Sequence, residues 1–385
     1  MPFPTLRHFI NDAVQSSDAN TYVTDLPHTG KLHTLFLRCA MTNGATSGRS
    51  VSIFDVVDLI EIIGTGGEVI LSYAPQELEK LVETLTGRPL EIIQNEAASG
   101  VQSGVFPLMF GRKMYDPAMY LPLGAWTQTQ LRVTYSPTIA ADAGFATGTF
   151  TIDVSLLITE DDQPLNYLGT LRTRRVADYV SLASGDAQFD LPLGDPIRLI
   201  GVYAYEAATD DGSDITRVQL GNDRNDNYYF DLDWPDFLDF NRNLFGAEIF
   251  HTARLLQTDA ENWACRIGYI RQVVLEPIYS PSDANDTFST FNASAYLGDR
   301  VTIQIRDADI TAGAETFVVA TADYRIQATA FGKSPSFFGV IPFHYQDEPE
   351  NYLPAPKDSK VRLTLTQGGA GGTIRPLVQT VKRYS

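Results

Sequence analysis

Two stretches of this 385-residue chain spell out the same short segments in the same order, and that repetition restricts the fold more than any other feature. Asp25-Leu26-Pro27-His28-Thr29-Gly30 and the apolar run Leu32 to Met41 are echoed by Asp190-Leu191-Pro192-Leu193-Gly194 and the run Ile197 to Tyr205. Ile60-Glu61-Ile62-Ile63-Gly64, a turn, a strand and a helical segment opening at Pro75 return as Arg217-Val218-Gln219-Leu220-Gly221, a polar turn, Tyr228-Tyr229-Phe230 and a helical segment opening at Pro235. Gly104-Val105-Phe106-Pro107 recurs as Gly339-Val340-Ile341-Pro342, and Tyr120-Leu121-Pro122 as Tyr352-Leu353-Pro354. Leu131-Arg132-Val133-Thr134 recurs as Val361-Arg362-Leu363-Thr364, and the last strands follow Gly148-Thr149 and Gly372-Thr373. Five blocks in one order, ending on matched strands, read as two copies of one unit.

The unit is rich in β-structure. Phe150, Ile152, Val154 and Leu156 alternate with polar residues, as do Leu131, Val133 and Tyr135, and Val301, Ile303 and Ile305. Period-two alternation of this kind marks half-buried antiparallel strands, here punctuated by 29 Gly and 21 Pro. Gly64-Thr65-Gly66-Gly67 precedes a strand, so it reads as a hairpin turn and not a phosphate loop. Helical spacing occurs at Pro75–Leu85, with Leu78, Leu81, Val82 and Leu85 on one stripe and Gly87 as the stop. A shorter helix is expected at Pro235–Asn241, with Asp233 as its N-cap, and an amphipathic one at Thr5–Val14, where Leu6, Phe9, Ile10 and Ala13 share a face.

The expected fold is therefore all-β: two tandem eight-stranded jelly rolls with a few short helices. Residues 1–19 form an N-terminal arm or helix, 20–160 the first roll, 161–187 a linker, and 188–385 the second roll. The second copy is longer by an insertion of about 244–333, read as a projecting excursion. The basic group Arg172, Arg174 and Arg175 falls in the expected linker and reads as solvated.

Two tandem rolls with an Asp-Leu-Pro lead-in to an early strand, a Gly-Val-Phe-Pro segment and a closing strand in each copy resemble the double jelly-roll major capsid proteins of tailless icosahedral viruses, the tectivirus and adenovirus lineage, a resemblance that implies rolls standing upright. The resemblance spans about Tyr22 to Ser385. It implies three chains in a pseudo-hexagonal capsomer that meets neighbouring capsomers and minor capsid or penton proteins, in a virion assembled in the host cytoplasm. It also implies that the 244–333 insertion is an outer tower and that the N-terminal helix faces an internal membrane or neighbouring capsomers. A first-roll tower would have to come from Met109–Thr129, because Gly87–Gly104 is short.

Composition limits the alternatives. The formal net charge is −18, spread over both halves: nine basic and sixteen acidic residues up to Glu160, twenty and thirty-one beyond it. That sign opposes binding to a phosphate backbone, so no direct nucleic-acid contact is expected. No run of about 20 apolar residues and no apolar leader is present in the sequence given. The two cysteines, Cys39 and Cys265, read as buried thiols. None of the five histidines stands near enough to another for a jelly-roll metal site, so no catalytic residue and no cofactor is expected. Asp210, Asp211 and Asp214 are calcium candidates in an oxygen-rich turn, and Asp231 and Asp233 form a second such turn, but neither has an EF-hand's spacing or its closing Glu. Two rival functions remain: a double jelly-roll carbohydrate-binding or glycan-cleaving protein, and a minor vertex or spike protein of the same virus type.

Overall fold

A computed structural model describes the chain except for residues 1–3, 46–50, 91, 96–97, 143, 161–166, 206–213, 223–227, 247, 257–260, 265–268, 279–287, 298–299, 308–324, 334–336, 344–347, 355–359 and 385. Each roll is a sandwich of two four-stranded sheets. In the first, the opening sheet runs Thr5–Gln15, Phe150–Thr159, Lys31–Thr42, Val101–Met109, and the facing sheet runs Asn20–Asp25, Thr129–Tyr135, Val57–Gly64, Glu68–Tyr73. The second repeats that order: Thr170–Arg175, Thr373–Lys382, Ile197–Tyr205, Phe338–Pro342 against Gly185–Asp190, Val361–Gln367, Ile215–Asn222, Tyr228–Asp233. Every neighbouring pair within these sheets is antiparallel, and first and last strands of each roll pair, as a jelly roll requires. The repeated motifs occupy matching strands and turns. Gly-Val-Phe-Pro and Gly-Val-Ile-Pro, for example, both end the opening sheets.

A helix follows the last strand of each facing sheet: α1 (Pro75–Thr86) and α2 (Trp234–Phe245). α1 begins with Pro at a position that has no amide to lose, and Glu77 Oε2 accepts from the Ala74 amide at 2.7 Å. It ends at Gly87, whose φ of 65° is the left-handed stop expected from sequence. Asp233 is the N-cap of α2 by position, with extended backbone, but its side chain makes no cap hydrogen bond. Gly66 (φ 82°) and Gly67 (φ 83°) turn the expected hairpin between Val57–Gly64 and Glu68–Tyr73.

The interiors follow the alternation. Leu35, Leu37 and Cys39, with Phe106 beside Leu37 in the same sheet, face Leu131 and Val133 in the first roll, while Ile200, Val202, Val218, Leu220 and Leu363 fill the second. Burial at Cys39 pushes its thiol far above the ordinary range, so it stays protonated and inert. Cys265 lies outside the described residues.

Three sequence expectations change. Thr5–Gln15 is not a helix but the opening strand of the first roll, paired with Phe150–Thr159, so residues 1–19 are no separate helical arm. The stretch 161–187 is not simply a linker, because Thr170–Arg175 and Tyr179–Val180 pair with the closing strand of the second roll and Gly185–Asp190 is its next strand. Finally, the first roll's contribution to the excursion comes from Gly87–Gly104 and not from Met109–Thr129. Its strand Ile92–Asn95 runs parallel to Glu248–Leu256 of the insertion, with Gln94 opposite Ala253. The insertion adds the antiparallel strands Arg325–Lys333 and Tyr269–Ile278 to that sheet, and a separate three-stranded sheet beside it.

Candidate functional site

The described residues hold no cluster of three His, Cys, Asp or Glu side chains able to bind a metal. Of the calcium candidates, Asp210 and Asp211 lie outside the described residues. Asp214 is buried and structural: its Oδ2 accepts from Ser181 Oγ at 2.6 Å, and its carbonyl accepts from the Gly368 amide at 2.9 Å. His33 is also enclosed, with Nε2 2.9 Å from Thr159 Oγ1 and Nδ1 3.1 Å from the Asp116 carbonyl. Burial is the main cause that lowers its pKa, which keeps the ring neutral at pH 7.

What the chain builds instead is a junction between the two rolls. Glu68–Tyr73, the edge of the first facing sheet, takes Thr170–Arg175 as a parallel neighbour, with Thr173 opposite Leu71 and Arg174 opposite Ser72. The first facing sheet therefore runs on into the second opening sheet as one hydrogen-bonded surface. Arg172 is buried there: Nη1 lies 3.3 Å from both Glu68 and Asp195 carboxylates, and Nη2 donates to the Val69 carbonyl at 2.9 Å. Lys382 Nζ adds a 2.6 Å contact to Glu68. Burial pushes the Glu68 carboxyl upward, but the Lys382 hydrogen bond and the Arg172 charge outweigh it and hold its pKa below the ordinary value.

Above this surface α1 packs against the outward face of the second opening sheet. Leu199, Tyr203, Phe338, Val340 and Leu377 belong to the second roll but share the first roll's hydrophobic core with Leu78, Leu81 and Val82. The helix also carries charge into the contact. Glu77, 0% exposed, faces Arg175 at 2.9 Å and Arg375 at 3.6 Å. Lys80, 1% exposed, sits 3.0 Å from Glu83, 3.5 Å from Glu79 and 5.4 Å from the centre of the Phe337 ring. Burial dominates at Glu77 and raises its pKa even with two guanidiniums beside it. Arg172 and Arg175 are thus anchors of the junction, whereas the sequence suggested a solvated linker.

Among the described residues of the second roll, two of the carboxylates beside aromatic side chains are held in ion pairs. An open groove of about 850 Å³ beside the first turn of α2 is lined by Trp234, Asp233 and Asp239 among others. Asp239 there is paired with Arg242 at 2.5 Å, and nearby Asp231 with Arg217 at 2.7 Å. No helix among the described residues is long and apolar enough to cross a membrane.

This topology defines the class: an all-β double jelly roll. The chain shares it with viral major capsid proteins. The STIV major capsid protein matches with a TM-score of 0.59 at 9% identity, covering 99% of this chain and 97% of that one. The major capsid protein P2 of bacteriophage PM2 matches with a TM-score of 0.51 at 10% identity, covering 99% and 98%. No protein-family model matches the chain, and no curated protein sequence matches it.

Proposed function

We propose that this protein is a structural subunit of a viral capsid, the major one of an icosahedral virion, and that it works as a homotrimer with a pseudo-hexagonal outline. The carrying observation is the junction: two rolls of equal topology stand side by side on one continuous sheet, so three chains offer six similar columns. The near-full-length likeness to two major capsid proteins supports the same reading. The joined excursions of both rolls, Ile92–Asn95 beside Glu248–Leu256, suit an outer projection. A charge of −18 per chain suits a shell whose contacts are protein to protein rather than to genome phosphates.

Light scattering with particle imaging tests this. The expected species has three times the 42.5 kDa chain mass, roughly 127 kDa, and a six-lobed outline. A monodisperse single chain would sink the reading.

A further inference from the structure

The two rolls carry the same surfaces, but only one of each kind is used inside the chain. The edge strand before α1 is capped by Thr170–Arg175, whereas its counterpart before α2, Tyr228–Asp233, ends its sheet with no neighbour among the described residues. The opening strand of the second roll lies against the first roll, whereas the opening strand of the first, Thr5–Gln15, likewise ends its sheet with no neighbour among the described residues. α1 is enclosed on nearly every side. α2 has the same length of 12 residues but leaves Asp236, Asp239, Asn243 and Leu244 exposed.

Matching registers show what is left uncovered. Thr173, Gln379, Leu199 and Pro342 lie side by side across the second opening sheet, as His8, Ser155, Phe36 and Pro107 do across the first. Two residues before Thr173 and His8 stand Leu171 and Leu6: Leu171 is 1% exposed, Leu6 65%. Leu199 and Val340 are fully buried under α1, while the equivalent Phe36 and Val105 are only half-buried. Val14, further along the same opening strand, is 61% exposed. An apolar sheet face beside an unpaired edge invites association unless a partner covers it.

We infer that a second copy of this chain covers it, by repeating between chains the junction seen within one: Tyr228–Asp233 of one copy aligns parallel to Thr5–Gln15 of the next, and α2 lies on the outward face of that copy's first opening sheet. The donor and acceptor surfaces differ, so the contact is head-to-tail and continues around a ring until it closes. This assignment rests on the trimeric capsomer reading and specifies which surfaces build it.

The test compares the native chain with the double variant Leu6→Glu/Val14→Glu, and with Ile139→Glu as a control at an exposed loop position outside the junction surfaces. Light scattering is expected to give a three-chain mass for the native protein and the control, and a one-chain mass for the double variant with an unchanged circular dichroism spectrum. Hydrogen exchange on the native protein reads the same contact without substitution, and so decides the matter if the double variant does not fold. The alternate amides that point off the edges of Thr5–Gln15 and Tyr228–Asp233 are expected to exchange slowly in the assembly. A trimer in which those amides exchange freely, or which survives the double substitution, overturns the inference and leaves the capsomer reading standing. A native chain that stays single removes both.

Discussion

The first and second rolls differ less in topology than in what covers them. The second opening sheet is roofed by α1, with Leu199, Val340 and Leu377 sealed beneath it. The first opening sheet has no such roof among the described residues, and its opening strand shows Leu6 and Val14 to solvent. A duplicated unit thus becomes asymmetric without changing its strands: α1 acquires buried charges because it has a roll to press on, and α2 keeps its charges outside because within one chain it has none. The difference teaches that burial at equivalent positions is set by the neighbour and not by the local fold.

The largest effect should come from taking one partner out of the enclosed charge cluster. Glu77→Ala leaves Arg175 and Arg375 without their buried acceptor and should cost about 3–5 kcal/mol of unfolding free energy in urea titrations. Asp236→Ala, on the open side of α2, should stay within about 0.5 kcal/mol. If both cost the same, the contrast between the helices is broken. Next, Leu171→Ala removes a buried side chain and should cost about 2–4 kcal/mol, whereas Leu6→Ala should be near neutral in the isolated chain, measured at concentrations where it is single.

Two smaller effects sharpen the picture. Ser181→Ala removes the donor to buried Asp214 and should lower stability by about 1–3 kcal/mol, read as a shift in the denaturant midpoint. Glu68 supplies a pH test. Its pKa is lowered in the folded chain, so its contribution is complete above the unfolded value of about 4.3 and is lost as the pH falls below that. The protection of the Glu68–Tyr73 and Thr170–Arg175 amides, taken relative to the intrinsic exchange rate at each pH, should be lower at about pH 3.5 than at pH 6, and Glu68→Gln should flatten that dependence.

Much of this architecture is legible in the sequence because the repeated motifs sit where backbone geometry is demanding. Asp-Leu-Pro precedes an early strand in both rolls, Gly66 and Gly67 turn a hairpin, and Pro75 and Gly87 bracket α1. The opening strand is misread for an equally physical reason. Its register slips between His8 and Ile10 and again between Ile10 and Ala13, where Asp12 adopts φ 47° and its amide donates to Asp153 at 2.5 Å. Two irregularities in 11 residues interrupt the period of two, so Leu6, Phe9, Ile10 and Ala13 imitate a helical stripe. The arginines of Thr170–Arg175 mislead differently: Glu68, Glu77 and Asp195 pair with them from far away in sequence or from across the fold, and no local pattern announces such partners.

The pairing of first with last strands also sets a timetable. Thr5–Gln15 finds its partner only in Phe150–Thr159, and Thr170–Arg175 finds one only after Glu68–Tyr73 is in place and again at Thr373–Lys382. During synthesis each roll therefore waits for its final strand before its first can be fixed, and such distant closures are slow. The junction between rolls is completed among the last steps of all, which leaves its apolar surfaces open for the longest time and makes the nascent chain, more than the finished one, the species in need of protection from its own copies.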